Sequence, residues 1–178
     1  MKRKTVFGLL LLSCTALVAG VVVLEKTSSY PASSQVNPQA PAQTRQVIEI
    51  AAPPEKVWQL LSQVNHWSAW QPDIQSPRLN GPLQVGTSFD WHTGGLRIHS
   101  TLHTVEPLTR LGWSGAAFGS FAVHNWTLTP LPNGHTRVRV DEGMEGWLVQ
   151  LLRPVFQRGL DSSIALWLNR LQQAAEKP

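Results

Sequence analysis

Cysteine is all but missing from this chain: Cys14 is the only one among 178 residues. No internal disulfide and no cysteine-based zinc site can therefore form. An excess of charge is missing as well. The formal net charge is +4 and the pI about 9.7, but Lys2, Arg3 and Lys4 supply most of that excess. Without them 15 − 3 = 12 basic residues face 11 acidic ones. No basic stripe remains to neutralise phosphates, so nucleic-acid binding has no electrostatic basis, and Arg137 and Arg139 read as a solvated strand face. There is no internal repeat and no Gly-x-Ser-x-Gly elbow. Nor is there a phosphate-cradling loop, because Gly94-Gly95 opens a hairpin rather than a helix. No cofactor is implied.

Against these absences stands one long apolar run, Thr5 to Leu24, TVFGLLLLSCTALVAGVVVL, without a charge. At helical rise it spans about 30 Å, the thickness of a bilayer core. The Lys-Arg-Lys before it orients the N-terminus to the cytoplasm. The run reads as an uncleaved membrane anchor. Alternatives are a secretory signal cleaved near Val18-Ala19-Gly20 or a lipoprotein signal at Leu-Leu-Ser-Cys, residues 11–14. All three place the rest of the chain outside the cytoplasm, periplasmic in a bacterium. Ala16 and Gly20 form a small-xxx-small pair of the kind that packs two such helices together.

Three segments follow from composition: a membrane anchor or signal over 1–24, a disordered linker over 25–44 and a folded domain over 45–176. The linker, EKTSSYPASSQVNPQAPAQT, is rich in Ser, Pro, Gln and Ala and too poor in apolar side chains to bury a core. As a flexible coil it reaches about 25 Å, which keeps the domain near the membrane surface.

From Arg45 on, period-two and helical patterns alternate. QVIEIAA reads as a strand, and PPEKVWQLL as a helix with proline in its first turn. VNHWSAWQPDI is a short helical or irregular piece. Hairpin-linked strands follow, and the tail predicts one long helix with Leu148, Leu152, Phe156, Leu160, Ile164, Trp167 and Leu171 along a stripe. Pro154 is expected to kink it or split off its first turns.

In FAVHNWTLTPLPNGHTRVRVDEG, residues 121–143, the alternation places His124, Trp126 and Leu128 on one face. Keeping apolar faces together pairs Leu128 with Val138 and Trp126 with Val140, so His124 falls opposite Glu142. That register needs a three-residue loop with Gly134 left-handed. Across Gly94-Gly95 a two-residue turn pairs Trp91 with Ile98, Phe89 with Ser100 and Asp90 with His99. His99 and His103 share an outward face but lie about 13 Å apart, too far to share a metal. Both are expected on the surface. His66, His92 and His135 fall beside turns or in the irregular piece and assemble no metal site.

IEIAAPPEKVWQLL, WSAWQPDI, the Gly-Thr-Ser-Phe strand opening at Gly86, HNWTLTPLPNGHTRVRVDEGMEG and the closing LQQAAEK resemble the START-like, polyketide cyclase and dehydrase superfamily (SRPBCC). The resemblance spans nearly all of Arg45 to Glu176. It implies an α+β helix-grip fold: a bent antiparallel sheet wrapped around a long C-terminal helix, with a cavity between them for an apolar ligand. On the residues themselves, Trp91, Trp113 and Trp126 share the concave face with Ser100, Gly115 and Ala117, which leave room beside the rings. The competing reading is an interior packed solid with indole. The expected ligand contacts are Trp70, Phe89, Trp91, Ser100, Trp113, His124, Trp126, Glu142, Phe156 and Leu160. Trp67 and Trp70 sit either at the cavity entrance, at the bilayer interface or in ordinary packing. Three functions remain open. One is binding or shuttling a lipid, quinone-like or polyketide-like molecule at the membrane. The second is a cyclase or dehydrase with His124 and Glu142 as acid/base or carbonyl-positioning groups. The third is a protein-interaction module with a filled cavity. Oligomeric state leaves no sign in the sequence.

Overall fold

Residues 15, 18–30 and 33–177 are described by the computed structural model, which divides into two units, 1–31 and 32–178. In the first, residues 18–27 are helical. Among the described residues no helix is long and apolar enough to cross a membrane, and the expected anchor, Thr5 to Leu24, lies mainly outside those residues.

The second unit holds a seven-stranded antiparallel sheet: β1 (Ala42–Ile50), β2 (Gln75–Leu79), β3 (Ser88–Thr93), β4 (Leu96–Glu106), β5 (Arg110–Ala117), β6 (Ser120–Pro130) and β7 (Thr136–Glu145). Their spatial order is β1-β7-β6-β5-β4-β3-β2. Helix α1 (Pro54–Ser62) and a 3-10 helix (Val64–Ala69) connect β1 to β2, and α2 (Trp147–Leu151) and α3 (Arg153–Ala175) close the chain. This is the expected α+β helix-grip architecture: a curled sheet gripping α3.

The hairpin registers follow the alternation argument. His124 lies opposite Glu142, Trp126 opposite Val140 and Leu128 opposite Val138. Leu131 N–H donates to His135 O, leaving Pro132, Asn133 and Gly134 as the loop, with Gly134 at φ +80°. Trp91 pairs with Ile98 and Phe89 with Ser100 around Gly94-Gly95, both left-handed as a primed two-residue turn requires.

The stripe does not run unbroken: as expected, Pro154 splits off the first turns, lying in the first turn of α3, which it is suited to start. Leu148 stands in the separate helix α2 and Leu152 is exposed at the break, whereas Leu160, Ile164, Trp167 and Leu171 are buried. The linker does not extend to residue 44 either. β1 begins at Ala42, and Ala40 and Ala42 are buried. A Cβ on Gly143 would fall 2.6 Å from Val36 Cγ1, so this glycine makes the room that Val36 occupies. Asn125 Nδ2 donates to Ser34 O at 3.0 Å, and Asn37 Nδ2 to Glu145 Oε2 at 2.9 Å. Composition showed a segment unable to fold alone, but not the sheet surface that receives it.

Candidate functional site

Period two sends Trp91, Ser100, Trp113, Trp126 and Glu142 to the concave side of the sheet, where α3 covers them. The cover is incomplete. A cavity of about 600 Å³ runs between β3–β7 and the helices α2 and α3, within the range of about 300–1,000 Å³ typical of small-molecule pockets. Gly115, Ala117 and Ala122 on the strands and Gly159 and Ser163 on α3 line it with small side chains. The rings therefore do not fill the interior, and the filled-cavity reading loses its basis. Leu96, Phe118 and Val155, each 48–56% exposed, stand at its open end.

Of the ten expected contacts, Trp91, Ser100, Trp113, His124, Trp126, Glu142, Phe156 and Leu160 line this cavity. Trp70 and Phe89 do not. Phe89 is fully buried one layer below, its ring 5.4 Å from Trp67 and 5.9 Å from Trp113. Trp70 packs edge-on against Trp167 at 5.5 Å. Trp67, also a candidate for the entrance, is fully buried, and its Nε1 donates to Leu61 O at 2.9 Å. Alternation fixed the face on which Phe89 lies but not its level, and the 3-10 helix carries Trp67 beneath that level. Gly159, Ser163 and Phe118 were missed. An open-ended cavity shows in sequence only as small residues among large ones, a weak signal in a helix.

His124 and Glu142 stand together in the wall. Their side chains are 13% and 5% exposed, with Nδ1 and Oε2 2.9 Å apart. That contact is not aligned as a hydrogen bond, so Glu142 Oε2 is a buried acceptor without a directed donor among the described residues. The imidazole stacks on Trp113 at 5.0 Å and 20°, and Trp113 lies nearly parallel to Trp126 at 6.3 Å. Trp91 Nε1 donates to Ser100 Oγ at 3.1 Å. Nε1 of Trp113 and of Trp126 are buried without a protein acceptor among the described residues. The site is thus an aromatic chamber with one acid and one imidazole in its wall. Ser100, Ser120 and Ser163 also line the chamber, but among the described residues no hydroxyl is hydrogen-bonded to the imidazole.

The other histidines lie elsewhere. His99 is exposed and pairs with Asp90 at 2.9 Å. Hydrogen bonds from Asn80 and then His99 hold the Asp90 carboxyl below its usual value. His103 is not a surface residue as expected. It is the extra residue where the β4–β5 register slips between Leu102 and Thr104, and its ring fills the space beside Gly112, where a Cβ would come 2.5 Å from its Cε1. Burial holds its pKa below the usual 6.5, a backbone hydrogen bond at Trp113 offsetting part of the effect. The native state therefore binds fewer protons than the unfolded chain just below pH 6.5. The His103 contribution to stability is present above that pH and is lost as pH falls towards the depressed value. Urea midpoints measured from pH 8 to 5 are expected to fall through this window in the wild type, and less steeply in His103→Gln. Among the described residues no three His, Cys, Asp or Glu side chains are grouped to hold a metal ion.

Comparison with known proteins agrees with this geometry. Residues 41–176 match the family model described as polyketide cyclase / dehydrase and lipid transport. No curated protein matches the chain. Among solved structures, a hypothetical protein from Helicobacter pylori superposes with a TM-score of 0.70 at 18% identity, over 83% of this chain and 100% of its own. An aromatase/cyclase from Streptomyces gives 0.65 at 14% identity, over 75% and 93%. A START superfamily protein from Mycobacterium smegmatis gives 0.63 at 14% identity, over 75% and 97%. At these identities the likeness shows the fold alone.

Proposed function

We propose that this chain, which belongs to the polyketide cyclase / dehydrase and lipid transport family, binds or shuttles an apolar small molecule at a membrane surface. A lipid, a quinone-like or a polyketide-like compound would suit the cavity. One observation carries the reading: about 600 Å³ of space walled by tryptophan and aliphatic side chains, open at one end. Water gains few hydrogen bonds there, so an apolar guest is favoured over solvent. The apolar run Thr5 to Leu24 supports the location, since a ligand of this kind partitions into the bilayer that such a segment would enter. In this reading the domain is extracytoplasmic.

The test is extraction of the purified full chain with organic solvent and mass spectrometry of what is released. One dominant apolar compound is the expected result. An empty extract, together with no uptake of hydrophobic probes by the protein, overturns the reading.

The His124–Glu142 contact favours a second reading, an enzyme of cyclase or dehydrase type in which the imidazole moves a proton at a bound carbonyl compound. His124→Ala separates the two. Turnover lost with binding retained supports the enzyme, whereas a wild type that returns every bound compound unchanged excludes it.

A further inference from the structure

The large apolar side chains that the domain leaves in solvent are not scattered. Among the described residues of the second unit eight are exposed, and five of them, Leu96, Phe118, Leu151, Leu152 and Val155, at 41–70%, gather at one end. Val47, Val85 and Leu166 stand singly on β1, ahead of β3 and on the later part of α3, as lone surface apolar residues commonly do.

Topology explains the gathering. Leu96 follows the β3–β4 turn, Phe118 lies in the β5–β6 turn, and Leu151, Leu152 and Val155 span the junction of α2 and α3 that follows β7. In an antiparallel sheet these points share one end. It is the end at which the cavity opens, because Leu96, Phe118 and Val155 also belong to its lining. The patch is therefore the rim of the mouth. Trp147 props Phe118 edge-on at 5.5 Å, and every residue from Leu151 to Val155 is exposed. A contiguous apolar rim of this kind marks a surface that meets a partner.

Charge and tether select that partner. Arg153 and Arg158 flank Val155 on α3, both exposed and neither in an ion pair among the described residues. The nearest acids along the chain are engaged, Glu145 accepting from Asn37 and Asp161 from Gln157. An apolar rim with unpaired arginines suits a bilayer of anionic lipids, whose phosphates take the guanidinium groups while the acyl boundary takes the apolar side chains. The chain also arrives at this end, since Asn37 is bonded to Glu145, the last residue of β7. Ser34, bonded to Asn125 of β6, is ten residues from Leu24, a reach of about 35 Å at full extension. A membrane entered by residues 5–24 is thus within reach of the mouth, and apolar cargo passing between them would avoid water.

Resting on the proposed function above, we infer that this end of the domain docks on an anionic bilayer and seats the cavity mouth against the lipid. Phe118, Leu151 and Val155 enter the acyl boundary, and Arg153 and Arg158 meet headgroup phosphates.

The test places the environment-sensitive dye NBD on one cysteine of the full chain carrying Cys14→Ser. The sites are Leu151→Cys and, as control, Val85→Cys, which is 60% exposed but ahead of the start of β3, at the other end. The chain is reconstituted into vesicles of equimolar phosphatidylcholine and phosphatidylglycerol with nitroxide-labelled lipid as quencher. The dye at 151 is expected to shift to the blue and be quenched, and the dye at 85 to do neither. Arg153→Gln with Arg158→Gln should weaken docking about tenfold or more, each arginine near an anionic surface contributing about fivefold. Quenching at 151 no greater than at 85, in a chain that floats with the vesicles, overturns the inference and leaves the proposed function standing. Unchanged quenching in the double variant overturns the choice of anionic lipid. A blue shift at 151 that needs no vesicles and grows with protein concentration also overturns the inference, the rim then being covered by a second copy of the chain. A chain that does not float with the vesicles overturns both the inference and the membrane location on which it rests.

Discussion

Trp67→Ala is expected to lower the free energy of unfolding by about 3–5 kcal/mol, the usual range for removing a buried indole. The urea midpoint should fall with the slope unchanged. Trp67 has no exposed surface, and its ring centroid lies within 5.3–5.4 Å of those of Phe89, Trp113 and Trp167. The contacts with Phe89 and Trp167 are edge-to-face, and such pairs add about 0.5–1.5 kcal/mol each beyond area burial. Truncation would also leave Leu61 O without the 2.9 Å hydrogen bond from Nε1. Two of its neighbours, Trp113 and Trp167, also line the cavity, so the residue supports the chamber without touching a guest. A loss under about 1 kcal/mol would show that this layer is not the keystone of the core, since even deletion of a single buried methylene costs nearly that much.

Gly159→Trp should do the opposite: remove ligand binding while leaving stability intact. Gly159 lies in α3 and lines the cavity, and a Cβ there would meet nothing within 4 Å. Replacing a helical glycine should raise stability by a few tenths of a kcal/mol, and the added indole would occupy the space of the guest. Extraction of the variant should then yield at least about tenfold less ligand than the wild type, the factor that about 1.4 kcal/mol of lost affinity produces, at an equal or higher melting temperature. Unchanged yield would mean that the guest lies elsewhere. A fall in melting temperature would mean that α3 sits closer to the sheet than the cavity implies.

Much of this architecture was written locally. The β6–β7 register followed from three facts close together: alternating side chains, the Pro-Asn-Gly loop and the arginines that had to face out. A one-residue slip would have inverted all of them. The same logic places His124 opposite Glu142. It did not place Phe89 and Trp70 correctly, because strand periodicity gives a face and not a depth, and a sheet this curled has more than one layer beneath it. Nor did it reveal that residues 33–41 belong to the domain, since the docking of Val36 depends on Gly143, a residue remote in sequence whose missing side chain leaves the groove.

By itself, then, the sequence determined the order of elements, the pairing of the hairpins and the meeting of an imidazole with a carboxylate on the inner face, because each depends on short-range periodicity and turn chemistry. The tertiary structure alone decided that α3 stands off the sheet far enough to leave about 600 Å³ open. Such a void is a difference between where large and small side chains end up across elements, and no single segment carries it.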